Sequence, residues 1–327
     1  MAQPCKALLD RDIQERLRCP VCGSCLLATN AALMCTGPAC REQYPIVDGI
    51  PILINERESI FPKGDFLRHE STFFKLGQRS ALLRTAKKFT PELGCNLRAA
   101  QNFEAFLKLV LAASSQPMVL VLGGSVFGEG MASIHDRPGV RFVDTDVSLG
   151  PQTKLILDGH SIPFADGTFD GVIAQAVIEH VMDPYRCVKE IHRVLRPGGL
   201  VYAETAFMQQ VHGGRYDFTR FTHLGHRRLF RSFDELSSGA CCGPGTALAW
   251  ACQYFALSFF TSEAARIAVK VLSRLLLFWL KYFDSYLVKR PGALDAASAL
   301  YFLGRKNESA LPDRQLIQQF RGLAGVS

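Results

Sequence analysis

Between Met118 and Ala203 short apolar runs recur, each closed by turn or acidic residues and separated by helical stretches, and this alternation narrows the fold most. Met118 to Leu122 ends in Gly123-Gly124, and Val140 to Val143 is closed by Asp144 and Asp146. Leu155 to Leu157, Gly171 to Ala174 and Leu200 to Ala203 follow in the same style. Asp183-Pro184 supplies a helix N-cap with proline at the first helical position, and Val188, Ile191 and Leu195 make one apolar face before Pro197-Gly198-Gly199. The pattern predicts a doubly wound α/β sheet whose ligand crevice lies at the carboxyl ends of its strands.

Residues 1–60 read differently, as a Cys- and turn-rich unit. Cys19, Cys22, Cys35 and Cys40 follow the pattern C-x2-C-x12-C-x4-C, a spacing that brings four thiolates to one zinc ion. A closed four-thiolate shell has no open position, so this zinc is expected to be structural; such binding is worth about 10 to 16 kcal/mol in small peptides. Cys25 also makes a C-x-x-C with Cys22, but no thioredoxin-like strand and helix surround it, and it reads as a bystander. Tyr44 to Val47 and Ile50 to Ile54 flank Asp48-Gly49, a hairpin signal. Residues 61–115 read as a helical connecting arm, with Phe103, Phe106, Leu107 and Val110 at helical spacing. An α/β domain is expected over 116–305, with an amphipathic helical insertion at 246–290, and a C-terminal tail over 306–327.

Composition sets outer limits. Of 327 residues 48% are apolar, and 37 Lys+Arg face 30 Asp+Glu, an ordinary globular balance that permits phosphate or an anionic membrane and does not indicate nucleic acid. The eleven cysteines are diluted and no apolar leader precedes them, so a reducing, cytoplasmic setting is expected. The uncharged stretch from Leu236 to Ser262 is interrupted by Gly243-Pro244-Gly245, leaving less than the roughly 20 residues a spanning helix needs. Glu263 to Arg290 is expected as one long helix with six basic residues, two acids and Trp279. Such a helix either packs on its own domain or lies on an anionic membrane surface.

Two resemblances sharpen these readings. Cys19-Pro-Val-Cys22, Cys35, Cys40 and the run Tyr44-Pro-Ile-Val-Asp-Gly-Ile-Pro-Ile-Leu53 resemble the zinc-ribbon activator subunit of tRNA and translation-factor methyltransferases. That likeness implies a ribbon fold and allows a protein partner, but carries no catalytic residue. Residues 118–222, through the Gly123-Gly124-Ser125-Val126-Phe127-Gly128 loop, Asp158-Gly-His through Asp170, Glu179-His180-Val and Arg193-Val-Leu-Arg-Pro-Gly-Gly199, resemble class I S-adenosylmethionine-dependent methyltransferases of the type 11 family. The resemblance implies a Rossmann-like sheet of seven mostly parallel strands, closed by Ala299 to Gly304, and S-adenosylmethionine as cofactor. It gives Asp146 the ribose, with Asp144 as rival, and Asp158 the adenine amino group. It gives Gly123, Gly124, Ser125 and Gly128 the methionine portion. The family often has an acid where this chain has Val121; Glu129 either replaces it or is an ordinary loop glutamate. The Phe169-Asp170 pair reads as a turn-shaping element, and His180 lies beside the crevice.

Beyond the fifth strand, Glu204 to His223 is dense in His, Tyr, Asp and Arg, where an α/β enzyme builds its acceptor pocket. His212 and Asp217 are candidate bases there, with Tyr216 as partner. The alternative is a packed loop in which Asp217 and Arg220 pair with each other. Similar stretches in methyltransferases encoded with polysaccharide and lipid biosynthesis point to a glycan, lipid or small-molecule acceptor. The expected activity is methyl transfer; the rivals are a non-catalytic zinc-ribbon adaptor and a peripheral membrane scaffold.

Overall fold

The computed structural model describes residues 9–29, 31–70, 72–73 and 90–323. Four strands come from the N-terminal unit: β1 (Leu26–Ala28), β2 (Ala32–Cys35), β3 (Gln43–Val47) and β4 (Ile50–Leu53). Seven follow: β5 (Met118–Leu122), β6 (Arg141–Asp146), β7 (Leu155–Leu157), β8 (Phe169–Gln175), β9 (Leu195–Ala206), β10 (Phe233–Cys242) and β11 (Ala299–Lys306). The expected count of seven is corrected to one eleven-stranded sheet in the order β1-β2-β3-β4-β7-β6-β5-β8-β9-β11-β10. The reason is that the N-terminal unit continues the sheet. β4 pairs in parallel with β7, Ile52 opposite Ile156 and Leu53 opposite Leu157.

Residues of β5 alternate between two cores. Met118, Leu120 and Leu122 join one apolar cluster while Val119 and Val121 join the other. A strand covered on both faces needs no polar side, which is why the sequence shows an unbroken apolar run. Asp48 and Gly49 both have positive φ between β3 and β4, as a two-residue hairpin of matching twist requires. The helix Pro184–Val194 has the expected start, with the Asp183 side chain accepting from the Arg186 N–H.

Of the arm expected over 61–115, residues 71 and 74–89 lie outside the described residues. The rest holds the helices Lys63–Leu67 and Ala99–Ala113. The second packs on the sheet: Phe103 lies 4.9 Å from the Tyr202 ring, and a side chain at Gly171 would collide with Phe106.

The single helix expected from Glu263 to Arg290 is also corrected. Glu263–Leu277 is α-helical, Phe278–Phe283 tightens to a 3-10 helix, and Asp284–Leu287 resumes. The irregularity brings the buried Asp284 carboxylate to the start of the helix Pro244–Leu257, where it accepts from Gly245 N (2.7 Å), Thr246 N (2.9 Å) and Thr246 Oγ1 (2.7 Å). Much of this region's apolar surface faces outward, with Phe255 and Phe259 each 70% exposed and Leu276, Trp279, Tyr282 and Phe283 exposed beside them. No helix among the described residues is long and apolar enough to cross a membrane.

Candidate active site

A cavity of about 1160 Å³ opens at the carboxyl ends of β5 to β9. Its floor follows from the turn after β5. Gly123 has φ +72°, and a Cβ there would lie 2.5 Å from Val177, so only glycine keeps both the turn and the opening. Gly128 is likewise pressed by the Gln175 side chain. Gly124 N donates to Thr145 O at 2.8 Å, tying the loop to β6.

The two aspartates of β6 separate cleanly. Asp146 lines the cavity, and its Oδ2 accepts from Ser125 N at 3.0 Å; burial holds its carboxyl above the ordinary carboxylate range. Asp144 is absent from the cavity wall. It is fully buried and bound by His135 Nε2 at 3.0 Å and Lys154 Nζ at 3.3 Å. Ser125, expected at the methionine portion, is fully buried and does not line the cavity; its part there is the backbone N–H that holds Asp146.

Asp158 also lines the cavity, but its carboxylate is largely engaged. Oδ1 accepts from His160 Nδ1 (2.5 Å) and His160 N (3.0 Å), and Oδ2 accepts from Ser59 Oγ at 2.6 Å. Burial alone would raise this carboxyl; His160 and Ser59 outweigh it and hold it low. Ser59 belongs to the segment following β4, a long-range contact with no sequence signal.

The cavity wall also carries a polar cluster that sequence reasoning did not assemble. Glu204, buried on β9, accepts from Asn96 Nδ2 (2.8 Å), Gln175 Nε2 (2.9 Å) and the Tyr202 hydroxyl, and burial raises its carboxyl. Glu129 joins it, accepting from Asn96 N at 2.9 Å. Asn96, Glu129, Gln175 and Glu204 all line the cavity. A polar side chain at a strand's carboxyl end was the available signal for Gln175 and Glu204.

At the acceptor end the three candidates part company. His212 lines the cavity; Tyr216 and Asp217 do not. Tyr216 turns its ring to Phe61 and Phe73. Asp217 pairs with Arg220 and accepts from His212 N (2.7 Å) and Gly213 N (3.0 Å), so its carboxylate holds the loop closed, as the packed-loop alternative describes. Burial opposes that charge, but Arg220 and the two amides keep it well below the usual carboxylate range. His212 meets Glu179 and His180, which the cavity also exposes. Burial pushes Glu179 up to about 7 and His180 down to about 4. Asp170 accepts from Met118 N at 2.7 Å and pairs with Arg196, away from the cavity.

In the N-terminal unit the Sγ atoms of Cys19, Cys22, Cys35 and Cys40 lie within 4.8 Å of one another, with Cys19 to Cys40 at 3.8 Å and Cys22 to Cys35 at 3.4 Å. Thiolates at about 2.3 Å from a tetrahedral zinc stand about 3.8 Å apart, so this donor set fits the ion. Cys25 lies outside the cluster.

Comparison with known proteins finds methyltransferases. Residues 140–203 match the methyltransferase domain family model. An uncharacterized methyltransferase of Mycobacterium sp. (strain JLS) is 42% identical over 115 residues, 32% of this chain and 44% of that protein. Cycloartenol-C-24-methyltransferase 1 of Oryza sativa subsp. japonica is 51% identical over 41 residues, 12% of each chain. The chain spans less than half the length of the curated relatives it matches first. The solved structure of Haemonchus contortus phosphoethanolamine N-methyltransferase 2 with S-adenosyl-L-methionine aligns over 76% of this chain and 62% of that one, at 15% identity and a TM-score of 0.42. Residues 140–203 thus carry the resemblance to a methyltransferase domain, and curated proteins that match the chain are named methyltransferases.

Proposed function

We propose that the chain is an S-adenosylmethionine-dependent methyltransferase with a structural zinc ribbon built into its sheet. One observation carries the reading: Asp146 stands at the carboxyl end of β6 on the cavity wall, beside a glycine turn that leaves the floor open. Asp146 would accept both ribose hydroxyls, and the Gly123 to Gly128 loop would admit the methionine portion. Asp158 keeps one lone pair on Oδ2 for the adenine amino group. The methionine ammonium, for which Val121 offers nothing, would meet Glu129 and Glu204. Bound S-adenosylmethionine supplies a methyl group on a sulfonium centre, open to in-line attack. The protein's work is alignment, which can supply roughly 7 to 11 kcal/mol. Phe61, Phe73 and Met182 on the cavity wall suit an acceptor with an apolar body, a lipid, glycan or small molecule whose reacting group reaches the Glu179, His180 and His212 end. Isothermal titration of the purified chain with S-adenosylmethionine tests the reading; absence of binding would favour the adaptor.

A second reading concerns where the enzyme works. The outward Phe255, Phe259, Trp279 and Tyr282, with Arg266, Lys270 and Lys281 nearby in sequence, support contact with an anionic membrane surface. Liposome sedimentation should show binding to anionic vesicles that weakens as salt rises, since surface potential decays over about 8 Å near physiological ionic strength. Equal binding to neutral vesicles refutes the electrostatic part.

A further inference from the structure

The three groups at the acceptor end stand in an arrangement that acid-base chemistry leaves incomplete. His180 Nδ1 lies 2.8 Å from the Tyr216 carbonyl, and His212 Nδ1 lies 3.2 Å from the Gln210 carbonyl. A carbonyl only accepts, so both Nδ1 atoms carry a proton, and in the neutral rings both Nε2 atoms present lone pairs. Those two lone pairs face each other across 3.1 Å. Glu179, 1% exposed, brings its carboxylate to the same point, with Oε1 3.9 Å from His212 Nε2. Its Oε2 is buried without any hydrogen-bond partner. Glu179 Oε1 also accepts from Ala206 N at 3.3 Å, but with both imidazoles neutral no hydrogen stands between the three electron-pair donors, which converge within 4.8 Å.

We propose that Glu179, His180 and His212 bind a divalent first-row transition-metal ion. Two nitrogens at about 2.1 Å from one ion, at adjacent octahedral or tetrahedral positions, stand about 3.0 to 3.4 Å apart, as these do. Two histidines and one carboxylate are a recurrent set for such ions and leave positions open. The outer partners are also in place. The Tyr216 and Gln210 carbonyls fix both tautomers, as metal-bound histidines require. Phe218 N and Thr219 N fasten the Glu179 carbonyl at 2.9 and 3.2 Å, and a Cβ at Gly213 would collide with the His180 ring. The open positions face the cavity, so an oxygen of the acceptor can enter them and become more acidic there. That role rests on the methyltransferase reading; the binding of the ion does not.

The test uses the full chain, loaded with zinc to fill the four-cysteine site, and titrated with Co²⁺ without oxygen. One further equivalent of Co²⁺ should bind with visible d–d bands and no thiolate charge-transfer band. Glu179→Gln, which preserves volume, and His212→Ala should each weaken that uptake by more than roughly tenfold, the scale on which even outer-shell partners act. Circular dichroism checks that both variants are folded; should His212→Ala unfold, Glu179→Gln decides. No uptake by the zinc-loaded chain, or uptake that Glu179→Gln leaves unchanged, overturns the site and leaves a proton shared between the two imidazoles. S-adenosylmethionine affinity is measured on the same samples. Cobalt uptake without cofactor binding sinks the methyltransferase reading alone, and cofactor binding without cobalt uptake sinks the metal site alone.

Discussion

Replacing Asp146 with alanine should weaken S-adenosylmethionine binding far more than it weakens the fold. The carboxylate has one oxygen on Ser125 N at 3.0 Å and lines the cavity from the end of β6. Two charge-assisted hydrogen bonds to ribose hydroxyls contribute about 1.5 to 3 kcal/mol each, and water entering the truncated site recovers part. A net loss of about 2 to 4 kcal/mol follows, or about a 30- to 900-fold rise in Kd. The fold loses the hydrogen bond to Ser125 N, about 1 kcal/mol, and weaker contacts to the Val147 and Ser148 amides. Asp146→Asn should fall between, since its amide oxygen can keep Ser125 while its NH₂ offers the ribose a donor. Asp144→Asn is the control: it disturbs the buried pairing with His135 and Lys154, so it should lower the melting temperature yet leave Kd within about threefold. Isothermal titration and thermal unfolding of all four proteins decide the matter. Asp146→Ala binding within threefold of wild type, or Asp144→Asn losing more affinity than Asp146→Ala, would refute the assignment.

Other consequences are open to direct measurement. Cys19→Ser should abolish one zinc per chain by elemental analysis and also lower cofactor affinity, because the ribbon hands Ser59 to Asp158; zinc retention would contradict the four-cysteine site. Asp284→Ala strands two buried N–H groups at the start of Pro244–Leu257 and should cost about 3 to 5 kcal/mol in denaturant unfolding, whereas a loss below 1 kcal/mol would show that the cap is dispensable. Burial holds His226 down to about 3, so its protonation favours the unfolded chain. That stability is whole above about pH 6.5 and declines as pH falls toward 3, by about 4 to 5 kcal/mol from this group. His226→Phe should therefore show a shallower acid limb in unfolding free energy, and limbs of equal slope would exclude His226 as its source.

Much of the α/β core was readable because its signals are local. The apolar run of β5, the Asp183-Pro184 start of a helix and the Asp48-Gly49 turn each depend on neighbours in sequence. The choice between Asp144 and Asp146 was not readable, since two residues apart on one strand they share a face. Their difference lies in His135 and Lys154, which claim Asp144 from other elements. Phe233–Cys242 carries Ser237-Ser238-Gly239 in a row at its centre and gives no strong strand signal, yet β11 pairs along its length. The break after Leu277 was equally silent, because Asp284 is needed at a helix start 39 residues earlier. Asn96, Gln175 and Glu204 converge from three separate segments, which spacing along one chain cannot announce.

The parallel pairing of β4 with β7 has a consequence for synthesis. Ile50–Leu53 is buried at all four positions, but the strand that covers its outer edge ends at Leu157. A ribosome adding roughly 5 to 20 residues per second needs roughly 5 to 20 seconds to reach that partner. Throughout that interval the nascent ribbon presents an apolar edge with open backbone groups, the kind of surface that recruits other strands. Pro51 removes one donor from that edge, a partial safeguard encoded within the strand itself. Early occupation of the cysteine cluster would hold the ribbon compact while it waits. Zinc supply during translation, more than zinc supply to the finished protein, would then decide how much of this chain escapes aggregation.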